Sequence, residues 1–256
     1  MVLRVERRVH VFGDLAAASD ALAERLVAIA RATVAEHGRF RLVISGGSTP
    51  LGLYASLARR FRERMPWRDT ELFFADERCV SPRSPLSNFG SVQRTLLSHV
   101  PIPRARVHRM RGELRPIGEA ARQYAAVVGP LPGPGQRPLF DTVLLGIGPD
   151  GHTASLFPGR PTLRARRVTV VAVPHAGQTP HVPRLTLTLP ALSSATSVWF
   201  LVAGDDKGPA LARIFGPSGA PRSSVPAALV RPPSPSEWFL DTAAARAVPA
   251  SARSTG

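Results

Sequence analysis

Hydrophobic positions along the chain switch repeatedly between short β-branched runs and longer stretches with helical spacing. Residues 3–12 (LRVERRVHVF) alternate roughly between apolar and polar and predict a strand. Asp14 then stands where an N-cap belongs, ahead of a long Ala/Leu-rich helix reaching about His37. RLVIS (41–45) is a short buried strand stopped by Gly46 and Gly47. Thr49 and Pro50 open the helix PLGLYASLARRF, proline suiting a first turn where its missing N–H has no intrahelical partner anyway. ELFFAD (71–76) predicts a third strand ending in charge, and ERCVSPRSPLS a loop. Helices are expected from about Asn88 to His99 and from about Glu119 to Val128, and GPLPGPGQRP (129–138) reads as a surface connection. FDTVLLGIG (140–148), VTVVAV (168–173), LTLTL (185–189) and SVWFLVAG (197–204) are the later strands. A helix starts at Asp205, and PAALV and DTAAARAV finish the fold.

Short apolar strands separated by helices predict an α/β fold with a mostly parallel sheet covered by helices on both faces. The expectation is a single α/β catalytic domain over residues 1–248, with 249–256 a disordered tail. In such sheets ligands bind beyond the carboxyl ends of the strands. That rule directs attention to the exits after Ser45, Ala75, Gly146 and Ala203.

With 256 residues, 44% hydrophobic, the chain can bury a sizeable core. The single cysteine, Cys79, allows no internal disulfide. MVLRVERRVHVFGD lacks the apolar segment of a signal peptide, and no stretch approaches the roughly 18 apolar residues of a membrane span. A cytoplasmic protein without membrane partners is expected. The formal net charge of +15 raises nucleic-acid binding as a hypothesis. The distribution argues against it: arginines are scattered in ones and twos with few aromatics between them, and Lys207 is the sole lysine. Specific nucleic-acid binding is not expected, and oligomeric state is beyond the sequence.

GIGPDG (146–151) matches the glycine pattern of dinucleotide-binding turns. Such a fingerprint should open a full helix and be followed about 20 residues on by an acidic side chain at the next strand end. Here Pro158 intervenes, and VTVVAV ends at Pro174 with no carboxylate. The alternative is a sharply turning mount that leads into a short helical turn starting near His152. Asp150 lies close enough to orient that imidazole. No other histidine has metal-ligand spacing, so no metal is expected.

ISGGSTP (44–50) puts Gly46, Gly47, Ser48 and Thr49 between a strand and a helix N-terminus, where free N–H groups and the helix dipole suit a phosphate. ADER (75–78) sets two carboxylates and an arginine at another exit; a solvated charged loop is the bland alternative. GDDKG (204–208) offers Lys207 at the start of a helix. The combination implies a phosphorylated small molecule and one proton-transferring residue.

SGGSTP, the DER of ADERCVSPRSPLSNFG, GIGPDGHTASLFPG, PRLTLTLPAL, FLVAGDDKGPAL, VPAALV and WFLDTAAA together resemble the 6-phosphogluconolactonase family, in order from residue 44 to about 245. The resemblance implies a Rossmann-like fold similar to the glucosamine-6-phosphate deaminase and ribose-5-phosphate isomerase group. Related deaminases typically carry Tyr at the position of Arg78 and Phe-Asn-Glu-Pro where this chain has Ser155, Leu156, Phe157 and Pro158, so both positions favour the lactonase. Pro149 stands where Glu is frequent in the family, and Gly208 where Ala is usual. The implied reaction is hydrolysis of 6-phospho-D-glucono-1,5-lactone to 6-phosphogluconate in the oxidative pentose phosphate pathway, with no cofactor. His152 is expected as general base with Asp150 orienting it, and Arg78 as the group facing negative charge on the carbonyl oxygen or the phosphate. Asp76 is expected to position Arg78 or substrate hydroxyls, and Arg184 and Lys207 to join the Gly46–Thr49 cradle. A glucosamine-6-phosphate deaminase or isomerase, or a non-catalytic sugar-phosphate sensor, are the alternatives.

Overall fold

The computed structural model describes residues 6–133, 135–216 and 224–253. Among the described residues ten strands run in chain order: β1 (Arg7–Phe12), β2 (Phe40–Ile44), β3 (Thr70–Phe74), β4 (Asp76–Arg78), β5 (Val107–His108), β6 (Phe140–Leu145), β7 (Val170–Val173), β8 (Arg184–Leu187), β9 (Ala195–Val202) and β10 (Ser236–Asp241). The α-helices are α1 (Leu15–His37), α2 (Leu51–Arg59), α3 (Asn88–Val92), α4 (Ile117–Val128), α5 (Leu189–Ser193), α6 (Gly208–Phe215), α7 (Pro226–Leu229) and α8 (Thr242–Ala245).

Seven strands form one sheet in the order β1-β10-β9-β6-β2-β3-β5, each neighbouring pair parallel. Its middle is well enclosed, and all six residues of β6 are buried, as expected of parallel strands covered on two faces. From β2 the chain moves outward to β3, whereas after β6 it goes to β9 on the other side. Strand order therefore reverses between β2 and β6, which opens a crevice at their carboxyl ends. Ser45 Oγ donates to Leu144 O at 2.9 Å and ties the two strand ends together.

Local sequence sets the flanking helix α1. Asp14, in an extended conformation, accepts from Ala17 N at 2.8 Å, and Ala18, Leu22, Leu26 and Ala30 repeat every four residues on its buried side. Gly38 closes the helix at φ 75°, its N–H donating to Val34 O. Among the described residues no helix is long and apolar enough to cross a membrane.

Several expectations need correction. VTVVAV and LTLTL do not join the parallel sheet: β7 and β8 form a separate antiparallel sheet in the order β4-β8-β7. ELFFAD is two strands, because the chain changes sheets at Ala75, and the charged residues after it are strand β4 rather than loop. β10 (SEWFLD), unassigned from pattern, lies inside the main sheet between β1 and β9; its prolines upstream and its Glu237 and Asp241 mask a short buried core of Trp238, Phe239 and Leu240. The helix expected over 88–99 is α3 followed by a wider π-helical turn, Gln93–Leu97. Residues 249–253, expected as disordered tail, carry a 3-10 turn at Ala250–Ala252, and Arg253 donates to Ala245 O and Val248 O. Residues 254–256 of that tail lie outside the described residues.

Candidate active site

One cleft at the β2/β6 switch point is lined by Gly46, Gly47, Ser48 and Thr49 after β2, Asp76 and Arg78 of β4, His152 after β6, Arg184 of β8 and Lys207 ahead of α6. The second sheet explains how residues far apart in sequence meet there: β4 and β8 carry Asp76, Arg78 and Arg184 across the mouth of the main sheet.

After β6 the backbone turns sharply, with Gly151 N donating to Gly148 O and Gly148 N to His152 O, both at 2.9 Å. There is no helical turn at His152; residues 153–156 close a tight turn through a Thr153–Leu156 bridge. Glycine is required at 148 by crowding: a Cβ there would stand 2.1 Å from the His152 ring. Gly148 thus clears space for the imidazole.

His152 Nδ1 lies 2.6 Å from Asp150 Oδ1, and the His152 backbone N–H donates to the same oxygen at 3.1 Å. Burial works to raise the Asp150 carboxyl, but hydrogen bonds from the His152 ring, the His152 backbone and Gln178 outweigh it and bring it down to about 2. An ionised carboxylate only accepts, so Nδ1 carries the proton in this pair. In the neutral ring Nε2 then holds the lone pair, and it has no hydrogen-bond partner among the described residues. Asp150 is the one predicted site residue that does not line the cleft; it stands behind His152.

Arg78 and Arg184 are direct register partners across the β4–β8 pair. Like charges placed opposite one another in a sheet repel, so their juxtaposition at a cleft suits an anion. Arg184 is 3% exposed; burial pushes its guanidinium below the usual range, Asp76 opposes that and Arg78 adds to it. Its Nη2 donates to Gln178 O and Pro180 O, both at 3.0 Å. Arg78 Nη1 donates to Leu86 O at 2.8 Å. The Nε atoms of both arginines are buried without a partner among the described residues.

Asp76 makes no hydrogen bond to Arg78 among the described residues, contrary to one of its expected roles. Its carboxylate accepts from Ser155 Oγ at 2.6 Å and from Asn88 Nδ2 at 3.1 Å. The solvated-loop alternative for this cluster also fails, since Asp76 and Glu77 are both buried. Glu77 organises the wall behind them by accepting from Ser87 Oγ and from the N–H groups of Arg78, Asn88 and Phe89. Burial pushes its carboxyl up, against these four bonds.

Asn88 lines the cleft and was not singled out from the sequence. A Cβ on Gly46 would fall 1.9 Å from Asn88 Oδ1, so the glycine of SGGSTP and the asparagine of SNFG are complementary. Lys207 sits in a 3-10 turn, Asp205–Lys207, directly before α6, and its ammonium pairs with Asp206 at 2.6 Å. Among the described residues no three His, Cys, Asp or Glu side chains group as metal ligands would.

Residues 13–239 match the family described as glucosamine-6-phosphate isomerases/6-phosphogluconolactonase. A 6-phosphogluconolactonase of Streptomyces coelicolor is 38% identical over 241 residues, 91% of each chain. The crystal structure of 6-phosphogluconolactonase from Thermotoga maritima superposes with a TM-score of 0.79 at 30% identity, covering 93% of this chain and 100% of that one. A monomeric glucosamine-6-phosphate deaminase, 20% identical, shares the fold with a TM-score of 0.78 over 94% and 99% of the two chains.

Proposed function

The chain belongs to the glucosamine-6-phosphate isomerase/6-phosphogluconolactonase family, and from that premise we propose the following account of its chemistry. The protein is a 6-phosphogluconolactonase that hydrolyses 6-phospho-D-glucono-1,5-lactone to 6-phosphogluconate in the pentose phosphate pathway. The observation that carries the site reading is the convergence of His152, backed by Asp150, and the Gly46–Thr49 loop on one cleft.

The phosphate rests on the loop N–H groups at the start of α2, with Lys207 and Arg184 as charged partners. His152 Nε2 takes a proton from water as the water oxygen bonds to the lactone carbonyl carbon. Negative charge develops on the carbonyl oxygen, and we assign Arg78, which lines the cleft opposite Arg184, as the cation that meets it. The tetrahedral intermediate collapses by breaking the bond to the ring oxygen, which takes the proton back from His152 and leaves as the product's hydroxyl. Asp150 holds the ring in the required tautomer and balances its positive charge during the step. Asp76, fixed by Asn88 and Ser155, faces the cleft as an acceptor for substrate hydroxyls. We place the reaction in the cytoplasm, a compartment that suits a chain whose one cysteine is free and buried.

Acid release from freshly generated lactone, measured against its spontaneous hydrolysis, tests this reading. Ammonia release from glucosamine 6-phosphate, with no acceleration of lactone opening, would assign the site to the deaminase branch instead.

A further inference from the structure

Besides the family motifs, one loop touches both halves of the site. Residues 174–183 run between β7 and β8, and Gln178 at their centre makes two kinds of contact. Its side-chain Nε2 donates to Asp150 Oδ2 at 3.2 Å, the carboxylate oxygen that His152 does not use. Its main-chain carbonyl accepts from Arg184 Nη2 at 3.0 Å.

A second bridge runs in parallel. The buried Phe157 ring lies 4.9 Å from the His152 ring on one side, and the Arg184 guanidinium sits over it at 5.3 Å. Gly177 packs against the same ring closely enough that a Cβ there would stand 3.1 Å from it. The Gly177–Gln178 segment is therefore seated on Phe157, and the Gln178 amide is delivered to Asp150 from a fixed base.

We propose that Gln178 is a positioning residue for the His152–Asp150 pair. Asp150 must present one oxygen to Nδ1 in the plane of the imidazole. A carboxylate held through that oxygen alone can rotate about its terminal torsion, which is broad in carboxylates. The amide on Oδ2 stops that rotation and so fixes where Nε2 points. The two functions of Gln178 reside in different atoms. Its side chain serves the proton-transferring pair, while its backbone serves the arginine, and substitution of the side chain separates them.

This inference rests on the reading of His152 as general base. The test uses the purified full chain and fresh 6-phosphogluconolactone, comparing wild type, Gln178→Met, Gln178→Lys and His152→Ala. Methionine keeps length and volume but has no donor; lysine restores a donor at similar reach. The expected result for Gln178→Met is a kcat lower by about tenfold, the scale of one hydrogen bond to a charged group, with KM within about twofold of wild type because the Arg184 contacts are to main chain. Gln178→Lys should recover most of that loss, which a merely structural role would not predict. Wild-type kcat in Gln178→Met, or a rise in KM with kcat unchanged, would overturn the inference. An equal loss in both Gln178 variants would also overturn it. Near-normal turnover in His152→Ala would instead overturn the general-base reading, whatever the Gln178 variants show.

Discussion

The Nδ1 atom of His152 stands 2.6 Å from Oδ1 of Asp150, two residues earlier on a turn that has no helix. Because the carboxylate can only accept, this single contact sets the tautomer of the ring and leaves Nε2 as the basic atom.

Asp150→Asn tests that assignment. The amide preserves size but removes the negative charge that fixes the proton on Nδ1 and balances the imidazolium. The expected outcome is a kcat lower by about ten- to a hundredfold, the range for a charge-assisted hydrogen bond, with KM little changed in steady-state assays.

Asp150 also ties stability to pH. Its carboxyl is lowered from 3.8 to about 2 in the folded protein. A depressed carboxyl stabilises the fold above its unfolded pKa, and that contribution is lost as pH falls through the folded value. The difference in unfolding midpoint between wild type and Asp150→Asn should therefore be largest above about pH 5 and shrink steadily toward pH 2. Urea melts across that range would show it.

Gly148→Ala separates folding from catalysis. The new methyl group would meet the His152 ring at 2.1 Å, and the ring, being partly exposed at the cleft, is what yields. Overpacking of this kind costs about 1–3 kcal/mol, whereas displacing a reacting group by an ångström costs about a hundredfold in rate. The variant should remain folded by circular dichroism and lose most of its turnover.

Lys207→Ala addresses the phosphate. The ammonium lines the cleft and pairs with Asp206, and among the described residues it makes no hydrogen bond to Asp150 or His152. KM should rise about tenfold, the scale of one charge-assisted contact, with kcat within about twofold. An unchanged KM removes this lysine from the phosphate site.

Much of the architecture could be read from the chain because α1, β2, β6 and β9 obey simple periodicities and carry recognisable caps. β10 could not, since six residues that include Glu237 and Asp241 after a proline-rich approach look like a loop until β1 and β9 are seen on either side. Nor does periodicity distinguish a strand of the main sheet from one that leaves it. β7 and β8 have the apolar composition of parallel-sheet strands, and β4 is three charged residues that read as loop; only their antiparallel pairing with one another makes them a second layer. The predicted site residues do gather at one place, because each follows a strand end or sits on that layer. Asn88, Ser155 and Gln178 went unnoticed as polar partners because their roles depend on contacts between segments distant in sequence: Ser155 meets Asp76 from 79 residues away. The glycine pattern of GIGPDG was informative for what it fails to supply. Gly148 is there to make room for the imidazole that follows it.

The most direct test of the account is His152→Ala, assayed for acid release from fresh 6-phosphogluconolactone above the spontaneous rate, with 6-phosphogluconate binding measured in parallel. General-base catalysis contributes about 10²- to 10⁴-fold, so a turnover loss of that order with product binding retained is the expected result. Turnover close to wild type in a folded His152→Ala protein would contradict it.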